Sequence, residues 1–306
     1  MTHESSSTGE LTVSSVIKRY GDNTVVDDVS FSVHPGRVTG FLGPNGSGKT
    51  TTMKIMLDLA SADEGTATIG GRRYRDIPDP AQQVGVLLEA TAFHPGRSGR
   101  NHLRIVADAA GIPLSRVDEL LDQVGLADAS DRRVGAYSLG MRQRLGLAAA
   151  LLGDPPVLIL DEPSNGLDPP GIREMRDLLR SRAEAGDTVF VSSHLLGEVE
   201  HLVDDVIVIN RGKLVTSGPL SELQEIATLV RVAAPERLRP VLEEAGGIVQ
   251  LHDGDGLVVR GLQMDRIGEL AFGAGLPIHE LSPRSGSLED LFFDWTTNAD
   301  GAESAT

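Results

Sequence analysis

The chain has 306 residues, 40% hydrophobic and 24% charged, an ordinary globular composition with room for one large domain and a smaller appendage. Its formal net charge of -16 argues against a nucleic-acid partner, because phosphate backbones are held mainly by clustered Lys and Arg. The absence of cysteine excludes disulfides, thiolate metal sites and cysteine nucleophiles, and agrees with a reducing compartment.

Residues 1–10 are polar and acidic without an apolar segment, so they read as a disordered N-terminus and not as a signal peptide. From 11 to 33, apolar and polar residues alternate around a turn at Gly21-Asp22-Asn23, the pattern of a small antiparallel sheet. The apolar run 37–42 ends in a glycine-rich loop, and 50–59 follows with helical spacing, giving strand, loop, helix. Strands at 65–69 and 84–88 precede a helix-favouring stretch, 101–150, broken at Gly111-Ile112-Pro113. That stretch reads as a helical subdomain inserted over about 90–150. Next come a buried strand at 157–160, an amphipathic helix at 171–185 and a strand at 188–191, an alternation that implies a parallel sheet.

After a strand pair at 206–209 and 213–216, Gly218-Pro219 closes a core domain spanning 11–218. Residues 219–296, with strand-like pieces at 229–232 and 256–259 and helices between them, read as a small α+β accessory region; 297–306 read as a disordered tail. From Val215 to the end, 15 acidic and 6 basic residues carry -9 of the net -16, which reads as a solvated acidic surface. The longest apolar stretches, 147–152 and 157–160, fall far short of the roughly 18 to 20 residues that cross a bilayer, so no self-inserted membrane span is expected.

Gly43-Pro44-Asn45-Gly46-Ser47-Gly48-Lys49-Thr50 matches the Walker A pattern for wrapping a triphosphate, with Thr51 beside it. Glycines let backbone N–H groups turn toward phosphates, and the following helix presents its positive end. Lys49 neutralises phosphate oxygens, and the Thr50 hydroxyl is a ligand for Mg²⁺. The strand 157–160 runs into Asp161-Glu162, a Walker B arrangement. A carboxylate at the carboxyl end of a neighbouring parallel strand is where Mg²⁺ needs a partner, which makes Asp161 the metal-side acid. Glu162 is then the candidate general base, orienting water toward the γ-phosphate. His194, after the strand 188–191, points from another strand end at the same phosphates.

These residues, together with Tyr137-Ser138-Leu139-Gly140-Met141-Arg142-Gln143-Arg144-Leu145 just before the Walker B strand, resemble the ABC ATPase family, and that nonapeptide is similar to its signature motif. The resemblance covers about 11–218 and implies an α/β fold: a P-loop ABC ATPase core with an antiparallel β subdomain and an inserted helical subdomain, here followed by the α+β appendage. It implies that Tyr20 stacks on adenine and that Ser138 and Gly140 touch the γ-phosphate of ATP held by the opposite subunit, so that two sandwiched ATPs need a dimer. Ser164-Asn165-Gly166-Leu167-Asp168 resembles the loop joining the two sites, and His194 the switch histidine.

Two departures stand out. Leu139 and Met141 replace the signature's first glycine and its glutamine, as in the ATPases of antibiotic and bacteriocin resistance exporters, and Glu89 replaces the usual glutamine after the strand 84–88. Glu89 adds a carboxylate able to ligate metal or orient water. Ser287-Leu288-Glu289-Asp290-Leu291-Phe292-Phe293 resembles the closing helix of that exporter subgroup.

The implied function is ATP- and Mg²⁺-dependent hydrolysis, driving a separate integral-membrane permease from the cytoplasmic face of the cell membrane. The implied assembly is a homodimer, and the implied task is export of a drug or peptide-like compound. The alternative is a non-transport ABC ATPase acting on a cytosolic partner such as the ribosome; such members carry two cassettes or long coiled coils, which this sequence lacks. A P-loop kinase or GTPase switch leaves the signature unexplained, and no Asn-Lys-x-Asp sequence occurs. The cargo, and import against export, stay open.

Overall fold

The computed structural model describes residues 9–88, 93–223, 226–253 and 256–285, and Phe292. The alternating stretch forms β1 (Leu11–Tyr20) and β2 (Asn23–Val33), an antiparallel hairpin closed where Tyr20 pairs with Asn23. Leu11, Val13 and Val16 all point inward although their spacing breaks strict alternation. Ser15, at φ 45°, accounts for this: a register shift between Val13 and Val16 returns the later residue to the buried face. Gly9 and Glu10, expected in the frayed end, are tied down, since the Thr188 hydroxyl donates to the Gly9 carbonyl (2.8 Å) and Gly70 N–H to that of Glu10 (2.7 Å).

β3 (Arg37–Leu42) leads into α1 (Lys49–Met56), which buries Met53, Ile55 and Met56. The helix stops short of residue 59, because Asp58 adopts a left-handed φ of 54°, anchored by its carboxylate to Arg75. β4 (Glu64–Ile69) pairs antiparallel with the free side of β1, giving a three-stranded sheet in the order β2-β1-β4.

A short helix, α2 (Pro80–Gln83), precedes β5 (Val84–Leu87). The chain then runs through α3 (Gly99–Ala109), α4 (Ser115–Gln123) and α5 (Leu139–Ala150) before β6 (Val157–Asp161). Polar side chains start two of these helices: Ser98 accepts from the Asn101 N–H and Ser138 from the Met141 N–H, both at 3.2 Å. α6 (Pro169–Glu184) begins with Asp168 as its cap and two prolines in its first turn, then β7 (Thr188–Ser193), the short α7 (Leu196–Val199), β8 (Asp205–Asn210) and β9 (Lys213–Pro219) follow.

These strands build a six-stranded sheet in the order β5-β6-β7-β3-β8-β9, parallel except for β9. β6 and β7 are buried along their whole length, as parallel strands covered on both faces are. Phe31 of β2 meets Phe41 of β3 and Phe190 of β7, and the three ring centroids stand 5.2 to 5.8 Å apart, joining the antiparallel sheet to the central one. Each such buried ring stabilises the fold by about 1.5–3 kcal/mol through removal from water.

The chain divides between Pro219 and Leu220 into two compact units. The second contains α8 (Leu220–Leu223), β10 (Ile226–Val232), α9 (Pro235–Glu244), β11 (Ile248–His252), β12 (Gly256–Arg260), α10 (Met264–Gly273) and β13 (Ile278–Ser285). Its antiparallel sheet, β11-β12-β10-β13, packs Val230, Leu257 and Val259 with Leu238 and Leu242 of α9 and Ile267 of α10. The expected closing segment 287–293 lies outside the described residues apart from Phe292, as do 1–8 and the tail 297–306. Among the described residues no helix is long and apolar enough to cross a membrane.

Candidate nucleotide site

β3, β6 and β7 are neighbours, and their carboxyl ends bring the candidate segments to one place. From β3 the chain enters the loop 43–50. Gly48 caps α1 at φ 106°, a conformation L-residues avoid, and a Cβ there would stand 2.6 Å from the Val25 carbonyl oxygen. Lys49 is buried, its ammonium donating to the carbonyls of Gly43 (2.6 Å) and Pro44 (3.2 Å) and lying 4.0 Å from Glu162. Burial pushes this ammonium below the usual lysine range, while Glu162 and Asp161 pull it back up. A group in that position is primed to gain from an added anion. Ser47 is buried and its hydroxyl has no hydrogen-bond partner, an open donor in a loop of backbone N–H groups. Asn45 and Gly46 are in the same loop, and Thr51 lies within the first turn of α1.

The Thr50 hydroxyl donates to Asp161 Oδ2 at 2.6 Å, so the helix start and the end of β6 meet through two oxygens. That pair fits a hard cation such as Mg²⁺, which takes one or two protein oxygens and keeps waters and phosphate oxygens for the rest. Glu89, the third candidate ligand, lies outside the described residues. The other Asp161 oxygen accepts from the Ser192 hydroxyl, and Ser192 in turn accepts from the Glu162 N–H at 2.9 Å.

Glu162 has φ 49°, a left-handed conformation that costs a non-glycine residue on the order of 1–2 kcal/mol and turns the chain away from the strand axis. His194 Nδ1 lies 2.8 Å from Glu162 Oε2, and both side chains are partly exposed. The Gln143 amide of α5 donates to the Glu162 carbonyl at 3.0 Å.

Three candidates stand elsewhere. Tyr20 is exposed at the end of β1, with the Lys18 ammonium 5.1 Å from its ring centroid. Ser138 and Gly140 start α5, where a Cβ on Gly140 would sit 2.6 Å from the Gly166 carbonyl oxygen. No described hydrogen bond or ion pair connects them to the loop 43–50 of the same chain. Leu139, one of the departures, lies over Gly166 and so packs on the 164–168 loop. Arg144 ties α5 to that same region, donating to Glu174 of α6 at 2.9 Å and to the Val124 carbonyl at 3.0 Å.

Sequence reasoning assigns no role to Ser192 or Gln143, although both fall inside or beside the motifs it identifies. Ser192 is recoverable from register, since it pairs directly with Asp161 on the adjacent strand. Nothing in linear spacing points Gln143 at Glu162.

Residues 26–165 match the family described as ABC transporter, and residues 227–289 match Domain of unknown function (DUF8746). The chain is 37% identical over 94% of its length, and 95% of the relative's, to "Uncharacterized ABC transporter ATP-binding protein YhcH" of Bacillus subtilis (strain 168). This chain belongs to the ABC transporter ATP-binding protein family. It is also 43% identical to "Bacitracin transport ATP-binding protein BcrA" of Enterococcus faecalis, over 68% of each chain. A solved structure described as "Structure of ATP binding subunit of ABC transporter" overlays with a TM-score of 0.65 at 25% identity, covering 85% of this chain and 99% of the other. As a member of this family the chain is a nucleotide-binding ATPase of a transporter, with the family's α/β fold.

Proposed function

We propose that this ATPase closes as a homodimer on two ATPs and drives a separate integral-membrane permease that exports a drug or peptide-like compound. The observation that carries the catalytic part is the meeting of Lys49, Thr50, Asp161, Glu162 and His194 at the carboxyl ends of three adjacent parallel strands. Lys49 exchanges its carbonyl partners for β- and γ-phosphate oxygens, and the backbone N–H groups from Asn45 to Thr51 cradle the rest. Mg²⁺, held by Thr50 and Asp161 with Glu89 as a further ligand, supplies neutralisation of the phosphate charge. Glu162 orients and deprotonates the attacking water, and His194 holds the Glu162 carboxylate and senses the terminal phosphate.

Tyr20 is exposed, which leaves its ring face open to stacking on adenine. Ser138 and Gly140 make no described hydrogen bond or ion pair with their own loop 43–50, which supports a role toward the opposite subunit's ATP, where the amino end of α5 favours an anion. The permease and the place at the cytoplasmic face of the membrane are supported by the similar BcrA proteins, which are named for bacitracin transport and so favour a compound of that kind as cargo.

The experiment is Glu162→Gln. The variant is expected to bind ATP with wild-type affinity, lose more than about 100-fold in turnover and accumulate as a dimer on ATP, as fits loss of a general base. Normal turnover removes the base assignment. Lys49→Ala is expected to weaken nucleotide binding itself, and unchanged affinity contradicts the phosphate contact.

A further inference from the structure

We infer that Ser192 and Gln143 are positioning residues that clamp the main chain of Glu162 from two sides, and that Gln143 thereby ties the signature helix to the hydrolytic carboxylate. The inference rests on Glu162 as the base. Four observations support it.

First, Glu162 is held at φ 49°, a basin that a glutamate leaves unless its neighbours over-determine it. Second, its N–H is fixed by the hydroxyl of Ser192, a fully buried residue one strand away. Third, that hydroxyl has only one proton, which goes to Asp161 Oδ1. Accepting from Glu162 and donating to Asp161, Ser192 sets the spacing of the two residues. It also leaves Asp161 Oδ2 for Thr50.

Fourth, the Glu162 carbonyl receives two donors: the Asn165 N–H at 3.1 Å, which closes the local turn, and the buried Gln143 amide at 3.0 Å, which comes from α5. The turn bond satisfies the carbonyl by itself, so Gln143 is not needed to avoid an unpaired acceptor. What it adds is a link between elements. Five residues before Gln143, Ser138 occupies the N-cap of the same helix. A tilt of α5 is therefore transmitted to the peptide that carries the base, and Arg144, bonded to Glu174 and Val124, moves with it. An anion bound at the amino end of α5 thus influences the other site of the same chain through a single amide.

The test measures ATP affinity with a fluorescent ATP analogue, kcat, the thermal midpoint and the pH profile of kcat for Ser192→Ala, Ser192→Thr, Gln143→Met and Glu162→Gln. Gln143→Met keeps the volume and removes the donor. Ser192→Thr keeps the hydroxyl on a strand, where a β-branched residue fits. A misplaced base costs roughly 10- to 100-fold in rate. Ser192→Ala and Gln143→Met are expected to lose roughly that much kcat with ATP affinity within about 2-fold of wild type. Ser192→Thr is expected to recover most of the loss, a rescue that a generally weakened fold does not give.

If Glu162→Gln is inactive while Ser192→Ala and Gln143→Met turn over like wild type, the clamp is refuted and the base assignment stands. If Glu162→Gln is itself active, the base reading fails and the clamp with it. Parallel loss of affinity and kcat in both clamp variants also refutes it, because positioning of the base leaves ATP binding intact.

Discussion

Replacing Gly48 by alanine tests the phosphate loop without touching any reacting group. At φ 106° the residue lies beyond the left-handed basin near +57°, where an L-residue already costs about 1–2 kcal/mol. The added Cβ would meet the Val25 carbonyl oxygen at 2.6 Å, and this is backbone in β2, which cannot swing aside as a side-chain tip does. Relieving the overlap moves the loop or the strand by several tenths of an ångström, an overpacking cost of about 1–3 kcal/mol. The total is about 2–5 kcal/mol. Gly46→Ala is the control: φ is 81°, yet no atom lies within 4 Å of the place its methyl group would take, so only the conformational cost of about 1–2 kcal/mol applies. Urea unfolding without nucleotide should therefore rank wild type above Gly46→Ala above Gly48→Ala, and Gly48→Ala should also bind a fluorescent ATP analogue more weakly. Equal stability of the two variants refutes the steric argument.

Phe190→Ala removes the ring that joins Phe31 and Phe41 and should cost about 3–5 kcal/mol in urea unfolding. The Arg75 guanidinium holds the Asp58 carboxyl below its ordinary value. A lowered folded-state pKa contributes stability above the unfolded value of 3.8 that is lost as pH falls through the folded one. Asp58→Asn should thus cost under about 1 kcal/mol at pH 7, given the exposed arginine, with the difference from wild type shrinking as pH falls below 3.8 and vanishing once it has passed the lowered folded-state value. If Ser138 acts on the opposite subunit's ATP, mixing inactive Ser138→Ala and inactive Lys49→Ala chains should restore about half the activity in each mixed dimer, or roughly a quarter averaged over a randomly assorted equal mixture, because one composite site of the mixed dimer is intact. No recovery in a mixture shown to exchange subunits contradicts that arrangement.

Much of the site is legible because its chemistry is written in short segments whose order along the chain follows the strands. Gly43 to Thr50, Asp161-Glu162 and His194 each follow a buried apolar run, and parallel strands place such ends together. What linear reading misses depends on pairing. A strand at 65–69 is expected, but only its register with β1 shows that it extends the antiparallel sheet. β11 escapes because Ile248 and Leu251 face solvent, so its alternation fails, and β13 because Pro283 interrupts it. The left-handed Glu162 has no signal in composition, since glutamate is not a residue that favours this conformation. The helix over 50–59 ends early for a related reason, a left-handed Asp58 held by Arg75.

The most direct test of the account is ATP turnover of this chain purified alone and co-purified from membranes with the multi-pass protein encoded beside it. The two are expected to associate, the partner to change kcat, and Glu162→Gln to abolish turnover in both preparations without breaking the complex. Hydrolysis that is unaffected by the membrane protein, with the chain remaining in the soluble fraction, contradicts it.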